Sequence, residues 1–81
     1  MTLAVLESKK ILLDKVEEIQ RLKGMTANEM AKFLKLSPSY YSMVMKGRRP
    51  ARGMFLEHLL VYCPELMLPI ILHMNEMGKA E

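Results

Sequence analysis

The sequence predicts an all-α fold of five short helices packed as one compact domain. Three observations lead there. Apolar residues recur at helical spacing in several segments. No segment alternates apolar and polar residues for long enough to make a strand. Helix start and stop signals punctuate the chain at short intervals. The 81 residues give room for one domain, 1–81, and one modest core, and 51% apolar with 26% charged residues is an ordinary globular balance. There is no low-complexity tract, linker-like run or internal repeat.

The first helix is read from Leu12, Val16 and Ile19 at i, i+4 and i+7, with Leu13 beside them, while Asp14, Lys15, Glu17, Glu18 and Arg21 fall mostly on the other side. It runs from about Ser8 to Lys23, or begins nearer Thr2, and Gly24 suits its C-terminal cap. Thr26 followed three residues on by Glu29 is a capping box, opening a second helix to about Leu34 with Met30, Phe33 and Leu34 apolar. After a short turn, Ser37 is a good N-cap and Pro38 takes the first helical position, where a missing N–H costs nothing. The third helix runs to about Lys46 and stops at Gly47. Pro50 and Gly53 mark a loop, and a fourth helix runs from Ala51 or Arg52 to Tyr62, stopped by Pro64. The last lies between Glu65 and Met77 with Gly78 after it; Pro69 either opens its main part or kinks it.

Several function classes find no support. The apolar patch in "MTLAVLESKK" is too short for a signal peptide, and its basic residues follow rather than precede it. The apolar region 54–74 is broken by Glu57, His58, Pro64, Glu65 and Pro69, which argues against a membrane span. Cys63 is the single cysteine, so no intrachain disulfide forms, and it reads as a small buried hydrophobe in a reducing, cytoplasmic setting. His58 and His73 are isolated, no Cys/His or carboxylate cluster has metal-ligand spacing, and no glycine-rich phosphate loop exists. No enzymatic activity, metal or cofactor is therefore expected.

Charge distribution says more than the net charge of +3. Between Glu29 and Glu57 lie Lys32, Lys35, Lys46, Arg48, Arg49 and Arg52 with no acid, and the remaining chain has six basic residues against nine acidic ones. A one-signed stripe on a slightly acidic body is what a polyanion-binding face requires; the alternative is an ordinary solvated surface. At about 100° per residue, Tyr41, Val44 and Met45 cluster on one side of the third helix and Ser39, Ser42, Met43 and Lys46 on the other, with Tyr40 on the flank. The first set belongs in a core. The second is short, mostly polar and able to meet base edges, with Met43 suited to a thymine methyl.

Residues 25–47, "MTANEMAKFLKLSPSYYSMVMKG", resemble without a gap the helix-turn-helix of the lambda-repressor-like family (Cro/repressor or XRE type). Ala31 matches the family's small residue in the first motif helix, and Met30, Leu34, Leu36, Tyr41 and Val44 match its apolar positions. "KGRRPAR" supplies its glycine, basic residues and proline after the recognition helix. The resemblance implies a five-helix DNA-binding domain in which Ser39, Tyr40 and Met43, with Ser42, read bases. It places Thr26, Asn28, Lys46, Arg48 and Arg49 on phosphates. Arg52 either joins them or pairs with Glu57, and Tyr40 serves equally well as a surface staple. Two departures stand out. The turn position that is commonly glycine is Lys35, so a non-glycine residue has to adopt a left-handed conformation. The positions where many relatives carry adenine-reading glutamines are Ala27 and Pro38, so familiar operators do not carry over. Compact members of the family often come from phages or other mobile elements, or act as antitoxins.

Residues 54–77 are more apolar than one small core needs. Leu66, Ile70, Met74 and Met77 form a stripe in the last helix, widened by Met67, Ile71 and Leu72, and are expected to form a homodimer interface unless five helices bury everything. The expected function is a sequence-specific regulator of transcription that binds double-stranded DNA, a repressor occupying a pseudo-palindromic operator as a dimer. The alternative is a protein-interaction module of antitoxin or anti-repressor type that uses the Met-rich C-terminal helices.

Overall fold

Capping side chains begin the first three helices, and a left-handed residue ends each of them. The computed structural model describes residues 2–80; Met1 and Glu81, within the expected domain 1–81, lie outside them. The elements are α1 (Leu3–Leu22), α2 (Ala27–Phe33), α3 (Pro38–Met45), α4 (Met54–Tyr62) and α5 (Met67–Ala80), with a 3-10 turn at Pro64–Leu66 between the last two. The fold is all-α over the described residues.

The Thr2 hydroxyl accepts from the Val5 N–H at 3.2 Å, so α1 takes the earlier of its two possible starts. The capping box of α2 is complete: the Thr26 N–H donates to Glu29 Oε1 at 2.9 Å and the Glu29 N–H donates to Thr26 Oγ1 at 3.2 Å. The Thr26 backbone donor, helped by the Thr26 side chain, holds the Glu29 carboxyl below its usual range.

Doubled backbone closures end α2 and α3. At α2 the Leu36 N–H donates to the Ala31 carbonyl at 2.8 Å and the Lys35 N–H to the Lys32 carbonyl at 3.0 Å. At α3 the Arg48 N–H reaches the Met43 carbonyl at 2.8 Å and the Gly47 N–H the Val44 carbonyl at 3.0 Å. This pattern requires a left-handed residue between, and Lys35 (φ 59°) and Gly47 (φ 78°) supply it. Lys35 therefore adopts the conformation expected of it, held there because the next residue, Leu36, is buried. Gly53, with φ 58° and ψ −124°, sits in a region that L side chains avoid. It caps α4, which starts at Met54 rather than at residue 51 or 52.

Pro64 opens the 3-10 turn, and the run from there leaves α4 at 117°. Pro69 falls in the first turn of α5, where a missing N–H costs little, so it opens the helix and does not kink it. Gly78 lies inside α5 rather than after it. Among the described residues no single helix is long and apolar enough to cross a membrane.

The core draws Leu12 and Val16 from α1, Met30 and Leu34 from α2, Val44 from α3, and Phe55 and Leu59 from α4. Cys63 is buried with them, and burial pushes its thiol pKa up, which keeps it inert. The most extensive helix pairing joins α1 to α5. There the buried Ser8 hydroxyl donates to the Val5 carbonyl at 3.0 Å and lies within hydrogen-bond distance, 2.9 Å, of His73 Nδ1. Burial lowers the His73 pKa, against an opposing hydrogen bond to the Ala51 backbone. His58 Nδ1–H donates at 2.6 Å to the carbonyl of Leu34, the C-cap of α2, and so joins α4 to α2. Both isolated histidines hold the fold together.

Two stability predictions follow from these contacts. A left-handed L residue costs about 1–2 kcal/mol. Lys35→Gly should raise unfolding stability in urea by about 0.5–1 kcal/mol after the greater freedom of an unfolded glycine is subtracted, and Lys35→Val should lower it. His73 has a folded pKa below its ordinary 6.5, so the unfolded chain takes up the proton first. Stability should fall as pH drops below 6.5 and level off once pH passes the folded value; His73→Leu should remove this component from a pH series of thermal melts.

Candidate nucleic-acid interface

Residues 34–37 join α2 to α3, and the Ser37 hydroxyl accepts from the Tyr40 N–H at 3.2 Å to start α3. How α3 is rotated about its own axis decides what it offers to solvent. Tyr41 (1% exposed) and Val44 (0%) face inward. Ser39 and Lys46 are exposed, Met43 is 36% exposed, and Ser42 is half-buried at the edge of that face.

One ring sets the rotation. Phe55 of α4 stacks on Tyr41, with ring centroids 6.3 Å apart at 27°, and meets Tyr40 edge-on at 6.4 Å and 71°. Contact with two successive residues opposes rotation of α3 about its own axis. The Tyr41 hydroxyl also donates to Gln20 Oε1 at 2.8 Å, tying α3 to α1. Burial, with lesser effects from Cys63 and Glu17, pushes the Tyr41 phenol up to about 12.

Asn28, Pro38, Ser39, Ser42 and Met43 line one shallow hollow of about 370 Å³, which brings the start of α2 onto the same surface as the outer face of α3. Thr26 is exposed nearby in sequence, with its hydroxyl engaged in the capping box. Beyond α3 the basic loop begins. Arg48, Arg49 and Arg52 are all exposed. The Arg49 guanidinium lies over the Tyr40 ring, 5.8 Å from its centroid. Tyr40, Arg49, Pro50 and Arg52 line a second hollow of about 190 Å³.

The electrostatics are one-sided. Among the described residues the ion pairs are Lys10–Asp14, Lys15–Glu18 and Lys79–Glu76, and none involves the basic stripe. Arg52 therefore makes no ion pair with Glu57. Lys46 differs from the arginines, because it shares hollows with Glu17 and Asp14 on the side toward α1. No group of three His, Cys, Asp or Glu side chains among the described residues is placed to hold a metal ion. Short hydroxyls, one thioether and unpaired cations on one surface suit contact with a charged polymer.

The expected dimer stripe requires correction. Leu66 (3% exposed) and Ile70 (0%) lie inside the core of the single chain, and Met77 packs against that core. Only Met74, at 47%, is open to a partner. The 117° turn before α5 aims its most continuous apolar stripe at the core, so the residual apolar face is Met67, Leu68, Ile71, Leu72 and Met74. Sequence reading also missed Phe55 and Gln20 as groups that orient α3, because helical period carries no sign of which side chains meet across the fold.

Tyr41→Phe should remove the tyrosinate step near 12 from an ultraviolet titration and cost about 1 kcal/mol, the worth of one hydrogen bond. In the wild type, stability should fall as pH rises above the ordinary phenol value of 10 toward 12, because the unfolded chain releases the Tyr41 proton first.

Comparison with protein-family models, with curated proteins and with solved structures finds no match to this chain.

Proposed function

We propose that this protein is a sequence-specific regulator of transcription that binds double-stranded DNA, a repressor that acts in the cytoplasm by occupying a pseudo-palindromic operator as a homodimer. The observation that carries the reading is the rotation of α3. Its inward side is gripped by Phe55, and its outer side offers Ser39, Met43 and the edge of Ser42 beside arginines that form no ion pair among the described residues. In this reading α2 and α3 form a helix-turn-helix of lambda-repressor-like type, and α3 lies in the major groove. Ser39, Ser42 and Met43 meet base edges, while Thr26, Asn28, Arg48, Arg49 and Arg52 hold the backbone and fix the register. Lys46 contributes from the far end of α3, its charge moderated by Glu17.

In this reading the dimer forms through the α5 face of Met67, Leu68, Ile71, Leu72 and Met74, and successive major grooves require its two recognition helices to lie about 34 Å apart, one turn of B-DNA. The same exposed face favours a second reading, in which the chain is a protein-interaction module of antitoxin or anti-repressor type that grips another protein there.

Selection of bound sites from a random duplex pool tests the first reading, and a symmetric motif would report two subunits. Affinity for the selected site should fall with salt at a log–log slope of about −0.9 per phosphate contacted. Ser39→Ala and Met43→Ala should relax base preference, and Arg49→Ala should weaken every duplex alike. No enrichment from the pool, together with salt-insensitive capture of a protein by the α5 face, would favour the second reading.

A further inference from the structure

We infer that Tyr40 is a positioning residue that fixes the Arg49 guanidinium for a backbone phosphate, and that it reads no base. The inference rests on the DNA-binding reading above. Arg49 is tied to α3 at two points. Its backbone N–H reaches the Met43 carbonyl at 3.3 Å, sharing that acceptor with the Arg48 N–H at 2.8 Å. Its guanidinium lies over the Tyr40 ring, 5.8 Å from the centroid. The ring itself is held from behind by Phe55, edge-on at 6.4 Å. A chain of contacts thus runs from the core through Phe55 and Tyr40 to one charged group.

Tyr40 has little left to offer a base. One side of its ring system is committed to Phe55 and a face to Arg49, and it is half-buried while its neighbour Ser39 is exposed. The hollow that collects Ser39, Ser42, Met43 and Asn28 does not include it. Tyr40 instead lines the hollow with Arg49, Pro50 and Arg52. Two cations around a small concavity walled by an aromatic ring suit a phosphate diester, which takes hydrogen bonds from both guanidinium groups. Arg48 shares the backbone closure but lies over no aromatic ring among the described residues, so the Arg48 side chain serves as an internal control. An arginine held rigidly to the recognition helix sets register at a lower entropic cost than a free one.

Fluorescence anisotropy should compare the selected duplex with a scrambled duplex of equal composition, over a range of salt, for the wild type, Tyr40→Phe, Tyr40→Leu, Arg49→Gln and the double variant Tyr40→Leu/Arg49→Gln. Tyr40→Leu should weaken both duplexes by the same factor, about three- to fivefold, with Tyr40→Phe close to wild type. The double variant should bind no more weakly than Arg49→Gln alone. Loss confined to the selected duplex, or effects that multiply in the double variant, would overturn the inference. NMR relaxation of the arginine Nε–H groups in the free protein separates the two levels of the argument and shows whether Tyr40→Leu still folds. Arg49 should be more ordered than Arg48 in the wild type and Tyr40→Phe, and equal to it in Tyr40→Leu. Equal order throughout would overturn the positioning role. Failure of the wild type to bind either duplex at low ionic strength, with Arg49 ordered, would overturn the phosphate assignment and the DNA reading while leaving the Tyr40–Arg49 coupling in place.

Discussion

The clamp of Phe55 on two consecutive tyrosines is the contact on which the rest of the molecule's presentation depends. Tyr40 and Tyr41 are neighbours on α3, about 100° apart around the helix axis. One ring meets both, stacked on one and edge-on to the other, and with the buried Val44 it sets the rotation of this eight-residue helix. A helix this short is not stable by itself, so its orientation comes from packing. Everything on its outer face, from Ser39 to Lys46, is placed by what Phe55 does on the inner one. The Tyr41–Gln20 hydrogen bond adds a second tether from α1, on an element remote from α4.

The loop after α3 extends the same logic to charge. Gly47 supplies the left-handed turn that lets Arg48 and Arg49 close back on the Met43 carbonyl, so the basic residues begin at a defined point rather than in a loose tail. Ala51, buried at 1%, pins the loop again three residues before α4 starts. Its backbone neighbours His73, which also holds Ser8, so α1, α5 and the basic loop meet at one buried imidazole. The charged surface is therefore mounted on the core at both ends, with Arg48 and Arg49 exposed between the two anchor points and Arg52 directly after the second.

What was legible in the sequence was local. Thr26 with Glu29, Ser37 with Pro38, and Gly47 each act within a few residues, and each marks a helix end where the structure has one. The inward and outward faces of α3 were legible for the same reason, since helical period alone separates Tyr41 and Val44 from Ser39 and Met43. Lys35 was legible as a strained position because the turn needed a left-handed residue and no glycine was there. The long-range contacts were hidden. His58 and Leu34 lie 24 residues apart and Ser8 and His73 lie 65 apart, so nothing in either neighbourhood announces the pair. The face of α5 was misjudged because the turn at Cys63 fixes which stripe points inward, and period alone treats Leu66–Ile70 and Leu68–Leu72 alike. Gly78 looked like a stop signal but continues the helix.

The central claim is that the outer face of α3, fixed by Phe55, is the surface that meets DNA. Methyl NMR of the methionines tests it most directly, because Met43 is exposed on α3 while Met67 and Met74 are exposed on α5. On titration with a duplex at low ionic strength, the Met43 methyl should shift and broaden while those of Met67 and Met74, exposed on α5, keep the positions they hold in the free protein. Shifts at Met67 and Met74 with Met43 unchanged, or a spectrum that no duplex alters, would contradict the account.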